Sequence, residues 1–283
     1  MRLEPFESSE HRCGDNVVTY SAFGNPESSR TIVFCNGLFH GHQAWHGILQ
    51  DRALRGGWRL LVTDYRGCGP GGVDLGVEFR LQDVARDVLE TAKSRGGVVD
   101  AVVGHSIGTQ VALWMAILEP RTVPRLALLS GSVRLEAHSR TLVRGALDLL
   151  VSGAEPRKVF AVVYPWFFSA EYLEKLQDLR EEFIGSYVSY NRNAGAIVRF
   201  LDAVTHGIDL RERLGEIQAE VLVVSGEEDR IFPPRCQVEL ASLLPSSRLV
   251  QFPGCGHSAI TERARELRML LGELLNSPIS RAA

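Results

Sequence analysis

Val98-Val99-Asp100-Ala101-Val102-Val103-Gly104-His105-Ser106-Ile107-Gly108 is the segment whose reading decides the fold. Its first six residues are mostly β-branched and read as a strand, Val98 to Val103. From Ser106 to Leu118 the chain is apolar on nearly every face, the pattern of a helix buried against a sheet, and Pro120 ends it. The junction between strand and helix carries Gly104-His105-Ser106-Ile107-Gly108, a G-x-S-x-G pattern. With 27 glycines in the chain the pentapeptide alone says little; its place in a strand-turn-helix unit gives it meaning. So tight a turn needs glycine two residues before and two after the serine, and it projects the hydroxyl into a cleft.

The same rhythm extends to both sides. Upstream, Val17 to Phe23 and Thr31 to Cys35 flank the turn-like Gly24-Asn25-Pro26-Glu27-Ser28-Ser29 and predict a hairpin or neighbouring strands. A helix is expected around Gln43 to Leu54, a strand over Arg59 to Asp64 and an amphipathic helix over Leu81 to Ser94. Downstream, Arg125 to Leu129 is the next strand. Strands alternating with helices predict a mostly parallel sheet covered on both faces, an α/β fold. The alternation then stops. From about Leu135 to Ile217 only helical patterns occur: Ser139 to Val151 closed by Gly153, Ser169 to Val188 opened by a serine cap, and Ala194 to Thr205 followed by Gly207. Strands resume at Val221 to Val224 and Arg248 to Phe252, and a helix from Ala259 to Leu275 finishes the chain. The expected organisation is a core of residues 1–134 and 218–283 interrupted by a helical insertion, 135–217, too long for a plain loop.

Composition fits one such domain. Thirty-one basic against 34 acidic residues give a net charge of −3, with 45% hydrophobic and 23% charged residues, as in an ordinary globular chain. Nothing here resembles the strongly basic footprint of a nucleic-acid binder. Five cysteines, odd in number and without a C-x-x-C pair, argue against a disulfide framework or zinc site and for a reducing compartment. The first ten residues lack the basic flank and apolar stretch of a signal peptide. The longest apolar run, Val159 to Phe168, is about half the roughly 20 residues a membrane span needs, and Pro165 interrupts it. A soluble, cytoplasmic protein is expected, with a small molecule as its partner rather than a nucleic acid or a membrane.

Ser106 is a weak nucleophile at neutral pH unless a base takes its proton and a third group orients that base. Two segments past late strands supply both. Gly226-Glu227-Glu228-Asp229-Arg230-Ile231-Phe232-Pro233 offers the acid, and Gly254-Cys255-Gly256-His257 the base. Open α/β sheets form their ligand crevice past the carboxyl ends of strands. Asp229 is preferred as lying deepest before the Pro233-Pro234 stop, with Glu227 and Glu228 as open alternatives. Acyl chemistry also needs donors for an oxyanion. The amide of Ile107, directly after the nucleophile, is one candidate; the amide of Leu38, in the loop Cys35-Asn36-Gly37-Leu38, is the other.

Other signals compete. Gly67-Cys68-Gly69-Pro70-Gly71-Gly72 matches a dinucleotide fingerprint, but Val73 to Phe79 reads as irregular where a helix should open at once, so no cofactor is expected. His40, His42 and His46 cluster, yet without an acidic partner they read as a loop near the cleft mouth and not as a metal centre. Cys68 and Cys255 are expected to be packed rather than redox-active. Tyr164, Trp166, Phe167 and Phe168 are either insertion core or the lining of an acyl pocket, and Trp166, Phe167 and His105 are the candidate substrate contacts.

Taken together, Asn36-Gly37 with Trp45 downstream, Asp64-Tyr65-Arg66-Gly67-Cys68-Gly69, the Ser106 elbow, Gly226-x-x-Asp229 and Gly256-His257 resemble the α/β-hydrolase superfamily over essentially the whole chain, and within it the esterase and enol-lactonase branch. The resemblance implies a Ser106 nucleophile, a His257 base, an Asp229 orienting acid, no cofactor, and a helical cap roofing the site. It departs from the common pattern at Asn36, where many members carry histidine, and at Pro70, where a small hydroxyl residue is usual. The implied activity is hydrolysis of a small or medium carboxylic ester or lactone. Thioester hydrolysis, acyl transfer, carbon-carbon bond hydrolysis and an idle ligand-binding relative remain alternatives.

Overall fold

Eight strands align in one sheet, in the order β1-β2-β4-β3-β5-β6-β7-β8. They are β1 (Glu7–Cys13), β2 (Asn16–Gly24), β3 (Arg30–Cys35), β4 (Arg59–Thr63), β5 (Val98–His105), β6 (Arg125–Leu129), β7 (Glu220–Gly226) and β8 (Ser247–Phe252). The computed structural model describes residues 3–14, 16–38, 40–69, 79–190, 194–206 and 209–278. Only β2 runs against its neighbours; β4, β3 and β5 to β8 pair in parallel. The helices are α1 (His46–Leu49), α2 (Arg52–Gly57), α3 (Leu81–Ser94), α4 (Gly108–Leu118), α5 (Ala137–Val151), α6 (Pro156–Val163), α7 (Ala170–Leu176), α8 (Arg180–Tyr190), α9 (Ala194–His206), α10 (Pro234–Leu243), α11 (Ala259–Glu262) and α12 (Ala264–Asn276).

The strand alternation seen in the sequence becomes two cores. Val33 and Cys35 of β3 and Val99 and Val102 of β5 face α3 and α4 on one side. Ile32, Phe34, Ala101 and Val103 face Trp45, Ile48, Leu267 and Leu271 on the other. Because both faces are covered, α4 is buried almost all round, as its sequence requires. The amino edge of the sheet is tied by Asp100, which accepts hydrogen bonds from Arg125 (3.0 Å), Arg30 (2.6 Å) and Trp58 Nε1 (2.7 Å). No helix among the described residues is long and apolar enough to cross a membrane.

Several expectations need correction. β2 and β3 are not paired, because β4 lies between them. The intervening turn bonds to the residues leading into β4 instead of closing a hairpin: Asn25 N donates to Trp58 O (3.0 Å) and Ser28 Oγ to Gly57 O (2.9 Å). The single helix expected around Gln43 to Leu54 is a 3₁₀ turn (His42–Trp45), α1 and α2, because Asp51 caps a fresh start, accepting from Ala53 and Leu54 amides at 3.0 Å. Ser169 does cap a helix, but that helix breaks after Leu176 into a 3₁₀ turn before α8. Pro233-Pro234 is no stop: Pro234 opens α10, where its missing amide hydrogen costs nothing. The last helix breaks at Arg263. β1, α6 and α10 have no counterpart in the sequence reading. Pro70 to Gly72, the stretch from Val73 to the residue before Phe79, and Gly207 lie outside the described residues.

Candidate active site

All the loops singled out by sequence leave the sheet at one edge, because β3, β5, β7 and β8 run parallel and end there at Cys35, His105, Gly226 and Phe252. Ser106 follows β5 directly, with α4 starting two residues later at Gly108. Its backbone is held in the left-handed region at φ +56°, and its amide donates to Leu129 O at 2.9 Å. That strain is maintained by close packing. A Cβ on Gly104 would come within 2.5 Å of Gly108 O, and one on Gly108 within 2.1 Å of Cys35 O. The two glycines of the pentapeptide are therefore steric requirements of the elbow.

Among the three acids of the loop after β7, Asp229 reaches His257. Asp229 Oδ2 lies 2.9 Å from His257 Nδ1, and Oδ1 accepts the amides of Ile231 (2.9 Å) and Phe232 (2.8 Å). Both side chains are fully buried. Glu227 and Glu228 instead bond outward, to the amides of Gly254 (3.3 Å) and Ala170 (3.2 Å). His257 is packed between the rings of His105, Phe167 and Phe232, with centroids 5.1, 5.7 and 5.7 Å away. Its Nε2 is buried and has no hydrogen-bond partner among the described residues, Ser106 Oγ included. The backbone amides of Leu38 and Ile107 likewise have no acceptor there.

The remaining candidates divide. Phe167 touches the His257 ring, and its carbonyl accepts the Ser258 amide at 2.7 Å. Trp166 turns toward a surface cleft lined by His138, Leu142 and Val162, a different cavity. His105 is buried, its ring nearly parallel to that of His40 (11° between planes, centroids 5.0 Å apart) with the two Nδ1 atoms 3.3 Å from each other. Burial, and after it the electrostatic cost of a charge beside the imidazoles of His40 and then His257, pushes the His105 pKa well below the usual histidine range. His40 is lowered to about 3, again mainly by burial and secondarily by His257. Of the histidine trio, His40 is engaged through both ring nitrogens, with His105 and with Tyr187. Among the described residues the His/Cys/acid group compact enough for a metal ion is His11, Cys13 and Glu90, elsewhere in the fold. All five cysteines are free. Burial pushes the Cys68 thiol up to about 12 and Cys255 higher still, so neither is a ready thiolate.

Sequence reasoning gives Asp64 no role beyond its place in the family-like motif and passes over Glu262, Tyr187 and Tyr190. Glu262 fixes the approach to His257, accepting the amides of Gly256 and Ser169 at 3.1 Å each and the Ser169 hydroxyl at 2.5 Å. Asp64, at the end of β4, accepts from Thr19 (2.7 Å) and Tyr190 (2.8 Å). The tyrosines stand three apart on α8, and only that spacing could have hinted that both face inward.

This geometry has known counterparts. The family described as alpha/beta hydrolase fold matches residues 30–264. The chain belongs to that family. Curated relatives of this hydrolase include two proteins named "Putative carbamate hydrolase RutD". That of Klebsiella pneumoniae is 26% identical over 255 residues, 88% of this chain and 93% of the relative. That of Agrobacterium fabrum is 29% identical over 236 residues, 82% of this chain and 88% of the relative. Among solved structures, the enol-lactonase from Burkholderia xenovorans superposes with a TM-score of 0.83 at 21% identity, covering 95% of this chain and all of that one. A hydrolase from Pseudomonas aeruginosa gives 0.84 at 22% identity, covering 96% and 99%. These structural likenesses are of fold. Family and relatives together make the chain a hydrolase.

Proposed function

We propose that this protein is a cofactor-free serine hydrolase that cleaves a small or medium carboxylic ester or lactone through an acyl-enzyme. The observation that carries the reading is the buried Asp229-His257 pair. It leaves Nε2 as the one nitrogen of the imidazole without a partner among the described residues, while the neighbouring elbow holds Ser106 at φ +56°. Asp229 can only accept, so Nδ1 carries the hydrogen and the neutral ring offers the Nε2 lone pair. His257 removes the Ser106 proton as the hydroxyl attacks the carbonyl carbon, and the carbonyl π electrons move onto oxygen. The amides of Leu38 and Ile107, with no acceptor among the described residues, receive that oxyanion. Collapse expels the alkoxide, which takes the proton from His257. Water, deprotonated by the same nitrogen, then releases the acid and restores Ser106. The helical insertion, 135–217, acts as a cap, with Phe167 against the imidazole. Trp166 faces a separate surface cleft and both ring nitrogens of His105 are engaged within the protein, so Phe167 is the substrate contact retained.

A carbamate is the second reading, favoured by the names of the RutD relatives. Its carbonyl would be attacked by the same serine. The test is labelling by a fluorophosphonate together with turnover of matched p-nitrophenyl ester, lactone and carbamate substrates. Wild type should be labelled and turn over esters or lactones, and Ser106→Ala should do neither. Equal labelling of both proteins would overturn the assignment, and turnover confined to the carbamate would select the second reading.

A further inference from the structure

A chain of hydrogen bonds runs from the helical insertion to the backbone of His257. Tyr187 of α8 places its hydroxyl 2.7 Å from His40 Nε2. His40 Nδ1 lies 3.3 Å from His105 Nδ1, and His105 Nε2 lies 3.1 Å from the carbonyl oxygen of His257. Four residues from four distant parts of the sequence are thereby joined in line.

The direction of every bond follows from its end. A carbonyl oxygen only accepts, so His105 carries its hydrogen on Nε2. Both imidazoles are neutral in this dry setting, so His105 Nδ1 is an acceptor and must receive from His40 Nδ1. His40 Nε2 is then an acceptor, and the Tyr187 hydroxyl donates to it. Burial raises the Tyr187 pKa, so that hydrogen stays on oxygen. No other assignment satisfies all three contacts with neutral rings. Removing the first donor frees His40 to adopt the opposite tautomer, which would set two lone pairs against each other at 3.3 Å.

The chain also bears on the proposed oxyanion loop. Gly37 packs so closely on the two rings that a Cβ there would sit 3.0 Å from both Nδ1 atoms, and Leu38 is the next residue. The neighbouring Tyr187 ring is itself fixed, stacked on Phe160 with centroids 4.6 Å apart.

Resting on the serine-hydrolase reading, we propose that Tyr187 and His40 are positioning residues. By completing the one set of His40 and His105 tautomers that satisfies all three bonds, they hold the His257 main chain and the Gly37-Leu38 turn in catalytic register, so that seating of α8 is felt by the imidazole that serves Ser106. Neither residue touches the reacting atoms. The relay ends on a carbonyl, so it carries position and not protons.

Tyr187→Phe, His40→Gln and His40→Phe separate this from mere packing. Glutamine can accept from Tyr187 and donate to His105; phenylalanine can do neither. For turnover of a p-nitrophenyl ester, normalised to fluorophosphonate-titrated sites and measured well below each variant's Tm, His40→Phe should lower kcat about ten- to hundredfold with KM little changed, since small misplacements of a catalytic group act at that scale. Tyr187→Phe should lower it several-fold, and His40→Gln should restore most of it. Long-range ¹H-¹⁵N spectra of ¹⁵N-histidine-labelled protein should show His105 as the Nε2-H tautomer in wild type and His40→Gln, and His40 as the Nδ1-H tautomer in wild type but mixed or reversed in Tyr187→Phe. Wild-type kcat in His40→Phe, or an Nδ1-H tautomer of His105 in wild type, would overturn the proposal. Absence of fluorophosphonate labelling in wild type would instead strike the serine-hydrolase reading and leave the tautomer result standing.

Discussion

Asp229 divides its two carboxylate oxygens between separate tasks, Oδ1 holding the amides of Ile231 and Phe232 and Oδ2 facing His257 Nδ1 at 2.9 Å. An asparagine cannot do both. If its carbonyl oxygen keeps the two amides, its NH₂ group faces Nδ1 and forces the hydrogen to Nε2, the nitrogen that should take the serine proton. Asp229→Asn should therefore fold and lose about 10⁴-fold in kcat for ester hydrolysis. Steady-state kinetics beside a circular dichroism spectrum checks this, and a loss under tenfold in folded protein would remove Asp229 from its role.

The elbow gives a steric prediction. A methyl group at residue 108 would lie 2.1 Å from the carbonyl oxygen of Cys35, on the neighbouring parallel strand, where neither backbone can yield without moving β3 or α4. Gly108→Ala should destabilise by at least about 2 kcal/mol, as overpacking of a tight core does, and should displace Ser106. Urea unfolding and fluorophosphonate labelling rate report the two effects separately. A variant as stable and as reactive as wild type would show that the elbow is loose.

How much of this was legible in sequence depends on the range of the interaction. The elbow was readable because its determinants are consecutive: a strand pattern, two glycines, a helix pattern. That the loop after β7 meets Gly256-His257 was readable because parallel strands bring their carboxyl ends to one edge, but the preference for Asp229 left Glu227 and Glu228 open, since all three lie in the same short loop. The place of β4 between β2 and β3 was not, since β-branched runs specify a strand and not its partner, and the turn at Asn25 looks the same whichever way it closes. Helix breaks at Asp51 and Arg263 were missed because apolar periodicity continues across them. Tyr187 meets His40 across 147 positions, a contact that no local pattern records.

The amino edge of the sheet should be separable from the carboxyl edge. Asp100 is almost buried and is shared by Arg30, Trp58 and Arg125, whose own side chain is only 5% exposed. Removing the carboxylate strands the Arg125 charge without its partner. Asp100→Ala should cost about 3–5 kcal/mol of unfolding free energy, the usual result of breaking a buried ion pair from one side. Because Asp100 sits near the start of β5 and Ser106 just past its end, kcat at 15 °C should stay within about twofold of wild type for the folded fraction. A thermal melt and a rate measured on the same preparation test both halves; a stable variant, or a folded and inactive one, would contradict the separation.

Tyr190 donates to both oxygens of Asp64 at 2.8 Å, tying the end of α8 to the end of β4. Burial raises the Asp64 carboxyl from its ordinary 3.8 to about 6, against the opposing pull of hydrogen bonds from Thr19 and Tyr190. The folded protein thus holds this proton more tightly than the unfolded chain does. Between about pH 4 and pH 6 the folded state binds more protons, so stability falls as pH rises through that window. The contribution of Asp64 is full below about pH 4 and gone above about pH 6, and the displacement corresponds to about 3 kcal/mol at most. Asp64→Asn cannot ionise, and its carbonyl can still accept from Tyr190. The difference in unfolding free energy between Asp64→Asn and wild type should therefore move in favour of the variant as pH is raised from 4 to 7. Urea titrations at four pH values give that difference directly. A constant difference across the window would mean that the Asp64 proton is held no more tightly in the folded protein than in the unfolded chain.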